Sequence, residues 1–415
     1  MKIAILNKYS DIGGAAIASK RLYYALKKQN IDTKFIVQAG KHADIILANS
    51  FFRQKKDYFL YAISRALLMP KLKDKKNVFY FDDARFGYDI TKLKHLKQAD
   101  IIHLNWINFG FLSLKSLKKI IQLKKPIVWT FHDMWPLTGG CFHSRGCNKY
   151  KTHCDKDCPF LKNSNLAYKI FEQKKQIFKA KNLFPIAISS WMKKLIDSSP
   201  LFSNKAQIIG NPIDTDYFKP MNKEKILKEL NFEKNKFYIA FIAFNVSNPA
   251  KGGKYLIKAL KIIQQADNQL FKKIKIIAIG RKKQENFFPK DFPIHYTGYI
   301  NDEMLMKKYY TISDVFILPS LEENLPLVIQ EAMALQTPVI AFPAGGVSDM
   351  VKHLKTGYLA KYKDASDLAN GIIFMLKNKD KAQQIAKNAR EYIIKNYSYD
   401  VIASKMINFY KNISQ

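Results

Sequence analysis

The sequence predicts an α/β protein made of two domains, each a doubly wound parallel sheet. At 415 residues the chain exceeds the size at which a single hydrophobic core stops growing, so two domains are expected. Short apolar runs alternate with helical patterns, which is typical of βαβ units and a parallel sheet. The alternation is interrupted once, by residues 208–220, which are rich in Pro, Asn and Asp, and then resumes.

The first alternation predicts a domain over residues 1–220. Two helices are expected, over about Ala15–Lys28 and Leu112–Leu123. The expected strands are KIAILN, TKFIVQ, ADIIHLNW, PIVWTFHD, PIAISS and AQIIGNP.

The second alternation predicts a domain over residues 221–395, with the boundary near Pro220. Its helices are expected over Lys254–Gln265, Leu327–Leu335 and about Asp367–Lys377. The tail from about Ala382 to Gln415 is expected to form one or two amphipathic helices that could cap either domain, with residues 396–415 as the part expected to pack back on the first. The expected strands are KFYIAFIAF, IKIIAIG, PIHYTGYI, SDVFILPS and PVIAF.

The formal net charge of +35 restricts the partners of the chain. Residues 1–220 hold 39 Lys and Arg against 16 Asp and Glu, whereas the remainder holds 30 against 18. Nucleic acid, an anionic lipid surface, and a lysine-rich composition without functional meaning are the alternatives. The basic residues are scattered pairs without a recognisable nucleic-acid module, so we expect no nucleic acid and favour an anionic membrane surface.

The amino terminus MKIAILNKYSDIGG lacks the long apolar segment of a secretory signal, and no run of about 18 apolar residues occurs. We therefore expect a cytoplasmic protein, peripheral on the inner face of the cytoplasmic membrane.

The stretch PSLEENLPLVIQEAMALQTPVIAF, residues 319–342, places two acidic residues beside one strand end. Glu323 lies on the loop after the strand and Glu331 on the helix that follows, with Pro326 at its first position. Ligands of open α/β sheets bind beyond the carboxyl ends of strands, and the positive end of a helix suits a diphosphate. The alternative is that both glutamates are solvated charges beside an ordinary helix cap.

These residues resemble the E-x7-E signature of the retaining glycosyltransferases of family 4, and PAGGVSDMVKHLKTGYLA after them is similar to the run that follows in that family. The resemblance implies the GT-B fold, with an acceptor domain over 1–220, a nucleotide-sugar domain over 221–395 and a cleft between these Rossmann-like domains. It implies retaining transfer of a sugar from a nucleotide diphosphate donor to a glycan or lipid-linked acceptor in surface polysaccharide biosynthesis.

The resemblance also assigns roles. Glu331 would hold the ribose hydroxyls, Glu323 would contact the donor sugar, and the backbone amides of Asn324 and Leu325 would line the sugar and phosphates. Many family members have Gly-Phe-Gly after the first glutamate, whereas Pro326 here contributes no amide donor.

Lys251, in VSNPAKGGKYLIKAL, fits the lysine of the family's phosphate-binding segment, and it is a candidate catalytic residue as well as a donor ligand. The arginine of that segment falls on Val246, so Lys254 or Arg281 would have to supply the second cation. The alternative is that Lys251 is an ordinary turn residue. No Asp-x-Asp motif stands at a strand end, so we expect catalysis without a divalent metal or other cofactor.

The first half offers further candidates. Gly13 and Gly14 follow the first strand and would let backbone amides approach the diphosphate, although a tight turn without a ligand explains them equally well. His132 follows a strand and would donate to a sugar hydroxyl or position the acceptor, unless it is a capping or core histidine. His103 and Asn105 form a weaker second candidate.

The four cysteines, Cys141, Cys147, Cys154 and Cys158, share one short window. Four soft ligands in a chain expected to remain in a reducing compartment suggest a structural zinc site, with ordinary reduced thiols as the alternative because paired C-x2-C knuckles are absent.

Two rival functions remain at the level of sequence. A nucleotide-sugar epimerase has the same architecture but needs no acceptor, and a basic membrane- or nucleic-acid-binding module needs no sugar nucleotide. The donor sugar, the base, the acceptor and the linkage depend on loop shapes that motifs do not specify.

Overall fold

A computed structural model describes residues 1–40, 45–48, 51–281 and 287–414, with the side chains of residues 51–57 left out. The chain forms two compact units: Met1–Pro212 together with Tyr399–Gln415, and Ile213–Ser398.

The first unit contains a parallel sheet of seven strands in the order β3-β2-β1-β4-β5-β6-β7. The strands are β1 (Lys2–Tyr9), β2 (Asp32–Ala39), β3 (Ile45–Leu47), β4 (Ile101–Leu104), β5 (Ile127–Phe131), β6 (Leu183–Ala187) and β7 (Gln207–Ile208). The helices are α1 (Gly14–Lys28), α2 (Phe51–Leu68), α3 (Lys94–Gln98), α4 (Leu114–Ile121), α5 (Leu166–Phe178) and α6 (Ser190–Asp197), with short 3-10 helices over Met69–Lys71, Lys75–Phe79, Trp135–Leu137 and Lys149–Lys151.

The second unit contains a parallel sheet of six strands in the order β10-β9-β8-β11-β12-β13. The strands are β8 (Phe237–Asn245), β9 (Ile274–Arg281), β10 (Ile294–Gly298), β11 (Val315–Leu318), β12 (Val339–Ala341) and β13 (Tyr358–Leu359). The helices are α7 (Lys223–Glu229), α8 (Gly253–Ala266), α9 (Asn268–Lys273), α10 (Glu303–Ile312), α11 (Leu327–Ala334), α12 (Val347–Met350), α13 (Ala365–Lys377) and α14 (Lys379–Tyr397), with a 3-10 helix over Pro249–Lys251.

The central strands are apolar on both faces because helices cover both sides of each sheet. All five residues of β5 and all four of β11 are buried. Helix α4 shows how the covering helices form: Ser113 caps its amino end by accepting a hydrogen bond from the Ser116 amide, and its buried apolar side chains recur at helical spacing.

The division between the units lies between Pro212 and Ile213, not near Pro220 as the sequence suggested. The intervening segment is bound to the second unit. The Ile213 amide donates to the carbonyl of Tyr397, and the Arg390 guanidinium donates to the carbonyl oxygens of Thr215 and Phe218. These hydrogen bonds attach residues 213–218 to the second unit, so the boundary lies before them and not near Pro220.

Helix α15 (Tyr399–Ile413) belongs to the first unit and packs on α1. The Tyr410 hydroxyl lies 2.5 Å from Nδ1 of His103, inside the core beside β4. No helix within the described ranges is long and apolar enough to cross a membrane.

The structure differs from the expected elements in one strand and in several helices. The strand expected at AQIIGNP is reduced to the two residues of β7. Helix α2 was not expected, because its apolar residues are interrupted by basic ones.

Candidate functional site

In the second unit, the candidate donor residues lie where the order of the strands reverses. Strands β8 and β11 are neighbours, but the chain leaves β8 towards β9 and leaves β11 towards β12. Lys251 lies on the connection after β8, and Glu323 lies on the connection after β11. Ligands of open α/β sheets bind at such a switch point.

Lys251 and Glu323 form an ion pair, with 2.6 Å between Nζ and Oε1. The Lys251 side chain is 30% exposed and that of Glu323 is 12% exposed, so the pair is sheltered but reachable. The two loops touch closely: the Leu321 amide donates to the carbonyl of Ala250 at 2.8 Å. The carboxylate therefore orients the ammonium.

Gly252 makes this contact of loops feasible. Its φ is 69°, a left-handed conformation, and a Cβ at this position would lie 1.7 Å from the carbonyl oxygen of Pro319. Only glycine fits there, so the run Lys251–Gly253 has a structural reason as well as the suggested role at phosphate.

Glu331 lies on α11 and is only 9% exposed. The Tyr310 hydroxyl donates to its Oε2 at 3.2 Å, a contact that no sequence motif indicated.

Pro326 is the residue before the first helical position of α11, whereas the sequence predicted it at the first helical position. Asn324 and Leu325 are buried, and the Asn324 carbonyl accepts from the amide of Gly346 at 2.9 Å. Gly346, in the run PAGG, thus holds the loop that follows Glu323.

The arginine position of the phosphate-binding segment is closed to a charged side chain. Val246 is fully buried in the core of the second unit. Lys254 is exposed in the first turn of α8, whereas Arg281 ends β9 and stacks over Phe244, with its guanidinium carbon 4.8 Å from the ring centroid. Strand β9 adjoins β8, so Arg281 stands at the same sheet edge as the connection to Lys251.

In the first unit, Gly13 lies between β1 and α1 and Gly14 is the first residue of α1, also where the strand order reverses. Gly13 has a φ of 90°, which favours glycine, and it precedes the first residue of α1. A Cβ on either glycine would meet no atom within 4 Å, so the space above the helix terminus is open.

His132 and Asn105 come together at the ends of β5 and β4. Nε2 of His132 lies 3.0 Å from Oδ1 of Asn105, so the imidazole donates through Nε2 when the amide is oriented in this way. Asn105 is 4% exposed, and its Nδ2 has no hydrogen-bond partner among the described residues. A buried amide donor of this kind suits a hydroxyl-bearing ligand.

Burial sets the protonation of the groups beside this pair. It lowers the pKa of His132 to about 4, so the imidazole is neutral at physiological pH. It raises the pKa of the neighbouring Asp133 to about 7. The Asp133 carboxyl accepts from the indole nitrogen of Trp106 at 2.9 Å and from the amide of Trp135 at 2.8 Å, so it orients the Trp106 ring.

His103, the weaker candidate, is a core residue and not a binding residue. It is fully buried, Nδ1 meets the Tyr410 hydroxyl, and Nε2 lies 2.7 Å from Oγ1 of Thr130. Both ring nitrogens are therefore used within the fold. Asn105, which the sequence suggested together with His103, does face His132.

An aromatic cluster beside His132 was not foreseen. Trp106 stacks on Tyr9 with 6.2 Å between ring centroids and meets Phe109 edge-on at 5.2 Å. Tyr9 and Trp106 are both half-buried. Tyr9 is the last residue of β1, and Trp106 follows β4 in the sequence LNW. An aromatic residue at or just after the end of each strand is the sequence feature that could have indicated this cluster.

One further buried polar atom lies near the donor residues. Ser320 lies two residues after β11 and is fully buried. Its hydroxyl oxygen has no hydrogen-bond partner within the part of the chain that is described. The four cysteines lie elsewhere, around one cavity of the first unit.

The low pKa values of two histidines predict acid sensitivity of the first unit. Burial lowers the pKa to about 4 for His132 and to about 3 for His103, whereas an unfolded histidine titrates near 6.5. The unfolded state therefore binds more protons as the pH falls below about 6.5, and the stability present above that pH is lost. At pH 5 each histidine should cost about 2 kcal/mol of unfolding free energy. Asp133 offsets part of this loss, because its pKa of about 7 makes the folded carboxyl gain a proton at higher pH than the unfolded one.

Tryptophan fluorescence measures this loss selectively, because all four tryptophans lie in the first unit. We expect the urea midpoint to fall between pH 7 and pH 5, and the fall to be smaller in His132→Asn. His153→Ala, which removes an exposed histidine, should leave the pH dependence unchanged. An identical pH dependence in His132→Asn and the unaltered chain would contradict the assignment.

Two family models match the two parts of the chain. The model described as Glycosyltransferase Family 4 matches residues 12–217, and that described as Glycosyl transferases group 1 matches residues 222–392.

Curated relatives align at moderate identity. An uncharacterized glycosyltransferase of Haemophilus influenzae is 27% identical over 383 residues, 91% of each chain. WcaC of Escherichia coli K12, named for colanic acid biosynthesis, is 26% identical over 262 residues, 58% of this chain and 59% of that protein. The match spans 42% to 59% of the length of the first three relatives, about half of each.

Among solved structures, Anabaena Alr3699/HepE in complex with UDP superimposes with a TM-score of 0.64 at 17% identity, covering 99% of this chain and 100% of that one. This likeness and the two parallel sheets confirm the GT-B fold expected from the sequence.

Proposed function

Because the chain belongs to the group 1 glycosyltransferases, we propose that it transfers a sugar from a nucleotide diphosphate donor to a glycan or lipid-linked acceptor, with retention at the anomeric carbon. The observation that carries this proposal is the arrangement of Lys251, Glu323 and Glu331 around one switch point of the second unit. A relative named for colanic acid biosynthesis supports a role in surface polysaccharide synthesis.

In the proposed complex, Glu331 accepts hydrogen bonds from the ribose hydroxyls, and Tyr310 fixes its orientation. Glu323 contacts the donor sugar, and the amides of Asn324 and Leu325 line the sugar and phosphates. Lys251 faces the diphosphate. Its ion pair with Glu323 supports this division of roles, because one contact links the group that would bind the sugar to the group that would bind the phosphate.

Departure of the nucleoside diphosphate builds negative charge on its oxygens. Lys251 and the amino-terminal ends of α8 and α11 supply fixed positive charge and dipoles for that stage. Arg281 is the better candidate for the second cation, because it stands at the sheet edge beside β8. We expect no divalent metal in this step, because no Asp-x-Asp motif stands at a strand end.

The first unit would bind the acceptor. His132 and the unpartnered Nδ2 of Asn105 can donate to hydroxyl groups, and the Tyr9–Trp106 stack offers a flat apolar surface beside them. The space at Gly13 and Gly14 is open, which supports our proposal that backbone amides of the α1 terminus contact a diphosphate.

A lipid-linked acceptor would require contact with an anionic membrane, and residues 58–79 have suitable chemistry. Tyr58, Phe59 and Phe79 are 74%, 65% and 73% exposed. Exposed lysines precede Phe79 in the sequence, at positions 71, 73, 75 and 76. Exposed aromatic side chains beside several lysines match the interface of an anionic bilayer.

We expect the chain to sediment with vesicles that contain phosphatidylglycerol, less so as salt increases, and weakly with neutral vesicles. Replacing the lysines at 71, 73, 75 and 76 with glutamate should abolish sedimentation. Four exposed lysines of α14, at 379, 381, 387 and 395, provide the matched control. Equal loss in both variants would indicate net charge alone and not this surface.

A thermal-shift screen of nucleotide sugars tests the function. A true donor stabilises the native state by about 2.7 kcal/mol at a concentration of 100 Kd. With the donor identified, release of nucleoside diphosphate should require an added acceptor, whereas an epimerase would convert the donor alone. Failure of every nucleotide sugar to bind, together with salt-dependent affinity for nucleic acid, would overturn the proposal.

A further inference from the structure

The four cysteines of the chain line one small cavity of the first unit. The cavity has a volume of about 20 Å³, room for roughly one water-sized body. Cys158 is buried, the other three are half-buried, and all four are free thiols. The irregular loop after β5 thus brings four soft ligands to a space that fits a single ion.

A backbone amide already points at one of the sulfur atoms. The Gly139 amide donates to Sγ of Cys154 at 3.2 Å. Hydrogen bonds of this kind favour a charged sulfur over a neutral one. They are the supporting contacts that metal-bound thiolates use.

A buried lysine lies behind the same turn. Lys174 is fully buried, and its ammonium donates to the carbonyl of Thr138 at 2.8 Å and sits 3.4 Å from the centre of the Trp135 ring. Thr138 directly precedes Gly139, whose amide contacts Cys154. A zinc ion together with four thiolates has a net charge of −2. A buried ammonium beside such a site lowers the free-energy cost of burying that charge.

The loop itself needs an internal tie. Between β5 and α5 the chain runs through residues 132–165 with only two 3-10 helices, far longer than an ordinary connection. Its two ends are fastened to the segment before β4, by bridges between Phe81 and Cys141 and between Leu72 and Leu161. The residues between these bridges include Cys147 and Cys154.

We propose that Cys141, Cys147, Cys154 and Cys158 bind one zinc ion that fastens this loop. Four protein ligands leave no open coordination position, so the ion is structural and the inference is independent of the transferase reaction. In the described part of the chain, no three His, Cys, Asp or Glu side chains stand close enough to hold an ion together. Binding must therefore draw the sulfur atoms inward, to about 2.3 Å from the metal, and it releases four thiol protons to solvent.

The consequence reaches the proposed acceptor residues. The Met134 amide donates to the carbonyl of Phe142, the residue after Cys141, and Asp133 and His132 immediately precede Met134. A fixed loop would therefore hold the orientation of Asp133 and, through it, of the Trp106 indole.

Metal analysis of the full chain, produced with zinc in the medium and purified without chelators or a metal-affinity tag, tests the site. We expect about one zinc per chain. Titration with a mercurial reagent should release it in proportion to the four thiols modified. Cys154→Ser and Cys158→Ser should each retain less than about a tenth of the zinc, whereas His153→Ala, in the same window but exposed, should retain all of it.

A second measurement covers variants that fail to fold. Unaltered chain exchanged into Co²⁺ should show the sulfur-to-cobalt charge-transfer and intense visible bands of a tetrahedral thiolate site. Absence of bound zinc together with absence of those bands, or one zinc per chain retained after all four cysteines become serine, would overturn the proposal. Thiols that react only after reduction would also overturn it, because they would show disulfides in place of a metal.

Discussion

Lys251→Ala is expected to lower kcat by about 10²- to 10³-fold when the donor is saturating, which is the loss typical of removing one preorganised group that stabilises developing charge. The Lys251 ammonium is already oriented by its 2.6 Å contact with Glu323, so it needs little rearrangement before it meets the departing diphosphate. Steady-state kinetics with the donor identified by the thermal-shift screen measure the effect. KM for the donor should change less than kcat, because the charge builds up mainly in the transition state.

The controls separate this role from loss of a surface charge. Lys258→Ala removes an exposed lysine of α8 and should leave kcat unchanged. Lys251→Arg restores the charge but not the compact shape, so it should recover only part of the activity. Full kcat in Lys251→Ala would remove Lys251 from the catalytic residues and leave it as the structural partner of Glu323.

Glu331→Ala is expected to weaken donor binding by about 1.5–3 kcal/mol, the value of a hydrogen bond to a charged group, or about 10- to 150-fold in Kd. The carboxylate is only 9% exposed, so bulk water cannot fully replace the hydrogen bonds it would make to the ribose. Calorimetry with the free nucleoside diphosphate measures this loss without any acceptor.

Two further variants sharpen the interpretation. Tyr310→Phe removes the hydroxyl that donates to Glu331 and should cost less, about 0.5–1.5 kcal/mol, because the carboxylate itself remains. Glu391→Ala, an exposed glutamate on α14, should have no effect. Unaltered affinity in Glu331→Ala would leave the ribose without its proposed acceptor.

The fold was largely predictable because both sheets are parallel and covered on both faces. Such strands are short continuous apolar runs, as in β5 and β11, and these are easy to distinguish from the helices between them. Helix α2 was missed because its apolar residues are interspersed with basic ones. The domain boundary was misplaced because the segment holding Thr215 and Phe218 is bound by Arg390, which is 175 and 172 residues away from them in the sequence.

The candidate site was predictable only in part. Motifs singled out Glu323 and Lys251 separately, but 72 residues separate them, and only the tertiary fold shows that they touch. Tyr310 carries no motif because its role depends on a single hydroxyl reaching Glu331. His103 misled because period-two alternation within β4 does not reveal which residues face a helix that arrives from the far end of the chain.

The return of α15 to the first unit has a consequence for how the protein is made. A ribosome makes every residue of Ile213–Ser398 before it reaches Tyr410, so the first unit lacks the partner of His103 throughout synthesis of the second. Until α15 leaves the exit tunnel, the imidazole is without its Tyr410 hydroxyl and α1 is without the helix that packs on it.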